Sequence, residues 1–240
     1  MWMICKKEWQ QFFGSLTGYI AIIIFLLLMG LFLFVFPDTS LLDFGYASLN
    51  GFFELAPLIL LFLVPVVTMR SLADEYKSGT FELLKTMPLS ASQIVWGKVL
   101  GAFIVVAIAI LPTIIYAFSI QALSAVGGID VGSTIGSYIG LLLLGGVFTS
   151  VGVCASSLTN NTVVAFIAGA FMCFLLYNGF EAVSKLPVFG NGLDYYVEML
   201  GIKFHYHSIS RGVVDIRDII YFGGVIVVFA LVTQRMLIKR

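Results

Sequence analysis

GFFELAPLILLFLVPVVTM (51–69), RSLADEYKSGTFELLKTMPLSASQIVWGK (70–98) and VLGAFIVVAIAILPTIIYAFS (99–119) decide how the chain is read. Two apolar runs, each of the roughly 20 residues that a helix needs to cross the hydrocarbon core of a bilayer, flank a polar insert. The insert carries Arg70, Lys77, Lys85 and Lys98 against Asp74, Glu75 and Glu82, in a chain with only 11% charged residues. It is the long polar segment on its side of the membrane, and therefore a handle by which something outside the bilayer can move the spans within it.

Outward from this stretch the pattern repeats. Of 240 residues, 60% are hydrophobic, and the mean hydropathy is +1.05. A soluble domain is excluded, because folding in water would leave several apolar runs exposed. The runs are continuous rather than alternating, so helices and not a barrel satisfy the backbone in lipid. The expected fold is all-α integral membrane, one domain over residues 1–240 with six transmembrane helices. The spans are Gly18–Phe36, closed by Pro37 and Asp38; Gly51–Met69, with Pro57 and Pro65 able to kink or hinge it; Val99–Ser119, with Pro112 in its outer half; Ile135–Ser156; Val163–Phe180, after the polar turn 156–162; and Ile219–Thr233. Gly132, Gly136 and Gly140 recur at four-residue spacing beside the fourth span, a small-residue ladder whose role is close helix packing. Residues 1–17 mix Trp2, Trp9, Phe12 and Phe13 with Lys6, Lys7 and Glu8 and read as an interfacial helix before a retained signal anchor. Residues 181–218 are too polar to span and too aromatic for a simple linker, which predicts interfacial or re-entrant helices on the outer side.

Basic residues orient the bundle. Lys6, Lys7, Arg70, Lys77, Lys85, Lys98, Arg235, Lys239 and Arg240, nine of the 13 Lys and Arg, fall on one side if both termini are cytosolic. The other four, Lys185, Lys203, Arg211 and Arg217, lie in the single long outer segment. The expected layout is multi-pass with both termini cytosolic.

Several chemistries lack their residues. The apolar cores of the spans contain no Asp, Glu, Lys, Arg or His, and Glu54 sits near an outer end, so an ion-coupled carrier has nowhere to bind its ion. No GxxxxGK[ST] phosphate loop, HExxH or GxSxG is present. His205 and His207, two apart, share one face if the segment is a strand, but they lack a third ligand and a membrane-surface or packing role is expected. Cys5, Cys154 and Cys173 have no metal or redox spacing and read as small packed residues. Moving spans without an ion or nucleotide site must receive energy through the 70–98 surface.

Within that surface, Leu72, Tyr76, Phe81, Leu83 and Leu84 interleave with charges, predicting an amphipathic helix, a break at Ser78 and Gly79, and a second helix. Thr80 is expected to cap the second helix, Glu82 to favour its N-terminal dipole, and Pro88 to end it. A further cap at Ser90 or Ser92 starts the run into the third span.

EYKSGTFELLKTMPLS (75–90) resembles the E-x-x-x-G-T-x-E-x-L-x-x-x-P signature between the second and third spans of type-2 ABC transporter permeases. The six-span layout, the amphipathic N-terminal helix and the elaborated outer segment are also similar, across essentially the whole chain. The resemblance implies a non-catalytic membrane subunit that binds no cofactor itself. It implies a separate cytosolic ABC ATPase that binds ATP and Mg, a coupling helix docked on that ATPase, and a second permease half, either the same chain or a membrane subunit with a large outer domain. The docking residues it implies are Asp74, Glu75, Tyr76, Gly79, Thr80, Phe81, Glu82, Leu83, Leu84 and Pro88, with Glu75 and Glu82 pairing across the interface and Tyr76, Phe81 and Leu84 filling a groove. HYHSISRGVVDIRDIIYF (205–222) is similar to the corresponding segment of gliding-motility-associated and copper-maturation permeases, and the compact loops look most like the gliding type. No nucleic acid is expected as a partner. The alternatives are a membrane anchor or force-transmitting subunit that moves no substrate and, further off, an ion-coupled carrier.

Overall fold

A computed structural model describes residues 1–36, 49–124, 128–186, 192–212 and 214–239. Among these the regular elements are all helical. In chain order they are α1 (Trp2–Phe13), α2 (Leu16–Phe34), α3 (Asn50–Thr68), α4 (Ala73–Ser78), α5 (Thr80–Thr86), α6 (Ala91–Ile110), α7 (Ile114–Leu123), α8 (Val131–Leu158), α9 (Thr162–Phe174), α10 (Phe180–Ser184), α11 (Leu193–Met199), α12 (Ile202–Ser210) and α13 (Ile216–Lys239). Five helical stretches are long and apolar enough to cross a membrane: 50–78, 91–123, 131–158, 162–184 and 216–239. A sixth is counted when Trp2–Phe13 and Gly18–Phe34, bent by 71° to each other, are taken together. The expected closure of the first span at Pro37 and Asp38 lies outside the described residues.

Helix interruptions follow local chemistry. Pro112 lacks an amide donor, and the third span passes there through a 3-10 turn, Leu111–Thr113, where the Thr113 hydroxyl donates to the Ile110 carbonyl. The second span runs through Pro57 and Pro65 as one helix with both prolines buried. A π-helical turn, Leu175–Gly179, widens the fifth span and buries Tyr177.

The bundle is built around α8. Of its most apolar window 83% is buried, against 22% for the corresponding windows of the fifth span and α13, which makes α8 the centre and the latter two peripheral. Glycine permits that position. A Cβ on Gly145 would stand 3.1 Å from Val106 of α6, and one on Gly152 would overlap the Thr68 hydroxyl of α3, which donates to the Val64 carbonyl. Of the expected ladder, Gly136 and Gly140 meet α12: their Cβ atoms would lie 3.1 Å from the Ile209 carbonyl oxygen and from the Ile209 side chain. Gly132 differs, since a Cβ there would meet only the carboxylate of Asp130, which caps α8 by accepting from the Gly132 and Ser133 amides. It serves the helix start, and the turn after α12 also approaches it: a Cβ on Gly212 would lie 3.6 Å from the Gly132 carbonyl carbon.

Residues 181–218 contain α10, α11 and α12, and α12 is deeply inserted: Ile202, Tyr206 and Ile209 are buried beside Phe222 of α13 and Phe53 of α3. The Tyr206 hydroxyl donates to the Phe53 carbonyl at 2.7 Å, and Ser133 and Ser137 both donate to the Ser210 carbonyl. Because 205 and 207 lie on a helix and not on a strand, their side chains diverge. His205 is buried with Nδ1 2.6 Å from Asp218 and Nε2 2.9 Å from the Met199 carbonyl, whereas His207 lines a cavity. The shared-face geometry expected of a strand does not occur.

Gly152→Ala forces the added methyl against Thr68, a strain of about 1–3 kcal/mol. Melting in mild detergent is expected to fall by several degrees, and Thr68→Ala, which removes the hydroxyl, should return part of the loss. An unchanged melting temperature for Gly152→Ala would remove this contact from the account.

Candidate functional site

Both termini and residues 70–98 meet at one end of the bundle. There Ile4 packs with Leu72, Phe81, Leu84, Val95 and Leu237 in a second apolar cluster, separate from the main core. The α1 helix lies on α6 through two glycines: a Cβ on Gly97 would be 2.9 Å from the Ile4 side chain, and one on Gly101 would be 2.8 Å from Glu8. These are again small residues four apart, in GKVLG (97–101).

That close approach carries Glu8 to Lys98. The Lys98 side chain is fully buried, and its ammonium finds three partners: Glu8 Oε1 at 2.6 Å, Glu75 Oε1 at 3.1 Å and the Ser71 carbonyl. It donates hydrogen bonds to Glu8 and to the Ser71 carbonyl, and Glu75 completes the site as an ion-pair partner. Lys7 reaches the same Glu75 oxygen from the solvent side at 2.8 Å. Two cations and two carboxylates form a neutral quartet, which limits the cost of burying charge. The quartet ties α1, α4 and α6 into one unit.

A second tie reaches α8. Ser156 Oγ accepts from the Leu72 and Ala73 amides at 3.0 Å and donates to the Met69 carbonyl, so one hydroxyl satisfies the turn between α3 and α4. Beyond that turn, Gly79 takes φ +72°, the left-handed conformation that lets α4 stop and α5 start without an intervening loop. Thr80 does not cap α5, contrary to expectation. It is the first helical residue, Gly79 stands at the cap position, and the Thr80 hydroxyl lies 2.9 Å from that of Ser78. At the start of α6, Ser90 and Gln93 form a reciprocal capping box.

The ten expected docking residues divide by direction. Gly79, Thr80, Glu82, Leu83 and Pro88 are exposed, and Asp74 and Tyr76 are half-buried. Glu75, Phe81 and Leu84 are buried within this chain. Glu75 is neutralised by Lys7 and Lys98, Phe81 packs edge-on against Tyr76 at 4.7 Å, and Leu84 belongs to the apolar cluster. In this structure these three are taken up internally and are not surface groups awaiting a groove. Lys77 and Lys85, counted among the charges of the segment but not among the docking residues, and Met87 complete the outward surface around Leu83; Leu83 itself is 65% exposed.

Residues 43–187 match the family described as ABC-2 family transporter protein, well over half of the chain. The chain belongs to the ABC-2 family. No match was found among curated proteins. The all-helical architecture and multiple apolar helices are those of an ABC-2 permease, the membrane component of a transporter. The matched region of this ABC-2 protein runs from α3 through α10 and contains the whole 70–98 segment. Lys7 and Glu8, which complete the quartet, lie outside it.

Removing one partner of a buried ion pair costs about 3–5 kcal/mol, and trimming an exposed one costs less than about 1 kcal/mol. Lys98→Ala, which takes the cation from Glu8 and leaves Glu75 with Lys7 alone, should therefore destabilise the protein far more than Lys7→Ala, whose side chain is 52% exposed. Unfolding in mild detergent ranks the two; equal losses would mean that the quartet is not the fastening.

Proposed function

We propose that this chain is the membrane-spanning half of an ATP-driven transporter and that residues 73–88 are its coupling element. A separate cytosolic ABC ATPase docks there and supplies ATP and Mg. The observation that carries the reading is the division of this segment into two rows. The inward row, Glu75, Phe81 and Leu84, is fastened to α1, α6 and the apolar cluster, whereas the outward row presents Leu83 and Met87 among Lys77, Glu82 and Lys85. Exposed apolar side chains ringed by charges suit a partner that buries the former and pairs with the latter.

In this reading both termini are cytosolic, as the distribution of Lys and Arg supports, and the expected location, the inner cytoplasmic membrane of a bacterium, follows from the permease resemblance. A second permease half, identical or different, completes the pathway. The assignment to a gliding-motility-type complex rests on the resemblance of residues 205–222. A second reading, in which the subunit transmits force to an envelope partner and moves no substrate, is favoured by α12. That helix is wedged among α3, α8 and α13, so motion of the spans must carry it along.

Glu82→Lys and Leu83→Asp change only exposed positions. Each should leave thermal stability nearly unaltered and reduce the ATPase recovered with the tagged chain from native membranes, by about tenfold or more for Leu83→Asp if Leu83 is a central contact. Undiminished recovery with both substitutions present would contradict docking at this surface.

A further inference from the structure

At the opposite end of the bundle, α12 separates two adjoining cavities of about 400 and 310 Å³, both walled by His207 and Arg211. Their volumes lie at the lower end of the range of small-molecule sites. In the smaller one, Glu181 is already spent: Lys185 and Lys203 each contact it at 2.6 Å. The larger one differs. It receives Glu54 from α3 and Arg211 from the end of α12, and neither has an ion-pair partner among the described residues.

Part of the wall around these two charges is already satisfied. The Tyr206 hydroxyl is committed to the Phe53 carbonyl, Ser133 donates to Ser210, and the Arg211 Nε donates to the His207 carbonyl at 3.2 Å. The terminal guanidinium nitrogens therefore keep their donors, and the Glu54 carboxylate keeps its acceptors. The His207 ring makes no hydrogen bond among the described residues. Burial, with Lys203 and Arg211 adding to it, holds its pKa below the ordinary value, so at neutral pH it is an uncharged donor or acceptor. Glu54 and Arg211 are both exposed, so the cavity opens to its surroundings, while the backbone at its rim is held closely. Gly212 at φ +87° brings the chain after Arg211 to within 3.1 Å, measured from a Cβ position, of the Ser133 backbone.

We propose that this outer cavity binds a small zwitterion carrying a primary ammonium and a phosphate, with the ammonium on Glu54 and the phosphate on Arg211 beside His207. A carboxylate on α3 and a guanidinium at the end of α12, neither ion-paired among the described residues and both lining one cavity, are complementary to a ligand that carries both charges. A free phospho-amine and the headgroup of an ethanolamine lipid share that chemistry. The site is remote from the 73–88 surface, and its occupancy can be read without any ATPase.

The test is calorimetric titration of the intact purified protein in mild detergent with O-phosphoethanolamine, ethanolamine and inorganic phosphate as probes. Phosphoethanolamine should bind at least tenfold more tightly than either fragment. Arg211→Gln and Glu54→Gln should each weaken it about tenfold, with Arg211→Lys recovering part of the loss and melting temperatures staying near that of the unaltered protein. In nanodiscs, competition by phosphatidylethanolamine but not by phosphatidylcholine identifies the lipid headgroup as the source, and the absence of competition identifies a free solute. Phosphate binding as tightly as phosphoethanolamine, or equal binding by the Glu54→Gln protein, overturns the proposal.

Discussion

A lysine with no exposed surface has to be answered by its neighbours, and Lys98 is answered by Glu8, Glu75 and the Ser71 carbonyl. Those partners come from α1, α4 and the turn after α3, while Lys98 itself belongs to α6. An uncompensated charge at that depth is expensive, so the four segments cannot separate without exposing the ammonium to water or losing its partners. Gly97 and Gly101 make the arrangement possible by letting α1 approach α6 closely enough for Glu8 to reach. The end of the bundle that carries both termini is thereby one mechanical unit. A push on α5 passes through α4 to the turn held by Ser156, and so to the central helix α8.

The same helix governs the opposite end. There α8 offers Gly136, Gly140 and two serines to α12, so that α12 lies against α8 by backbone approach and hydrogen bonds rather than by bulky side chains. His205 then ties α12 to α13 through Asp218, and the Tyr221 ring stacks on His205 with centroids 4.0 Å apart. One glycine-rich helix thus carries the turn between α3 and α4 at one end and the cavity-forming helix α12 at the other. This is a physical route by which events at the two ends of an ABC-2 protein can be linked.

Much of the fold was legible in the sequence because membrane spans are written in composition. Continuous apolar runs, the stops at polar turns and the break at Gly79 need no tertiary information. Side-chain direction within the polar segment was not legible in that way. Glu75, Phe81 and Leu84 alternate with exposed neighbours on two short helices, and which row turns inward depends on α1, which is distant in sequence. Lys98 read as an ordinary flanking charge for the same reason: its acceptor Glu8 is 90 residues away. A signal was nonetheless present in GKVLG, where small residues four apart mark close packing as plainly as the Gly136 and Gly140 pair does. The spacing of His205 and His207 would give them one face only in a strand; the segment is instead a helix packed among spans, so the two side chains part.

Site-specific photo-crosslinking in native membranes tests the division of the coupling segment most directly, with a photoreactive residue at exposed Leu83 or at buried Phe81. From Leu83 the account predicts a crosslink to a cytosolic ABC ATPase, and from Phe81 only products within the chain. An ATPase adduct from Phe81, or none from Leu83 in membranes where the complex is assembled, would contradict it.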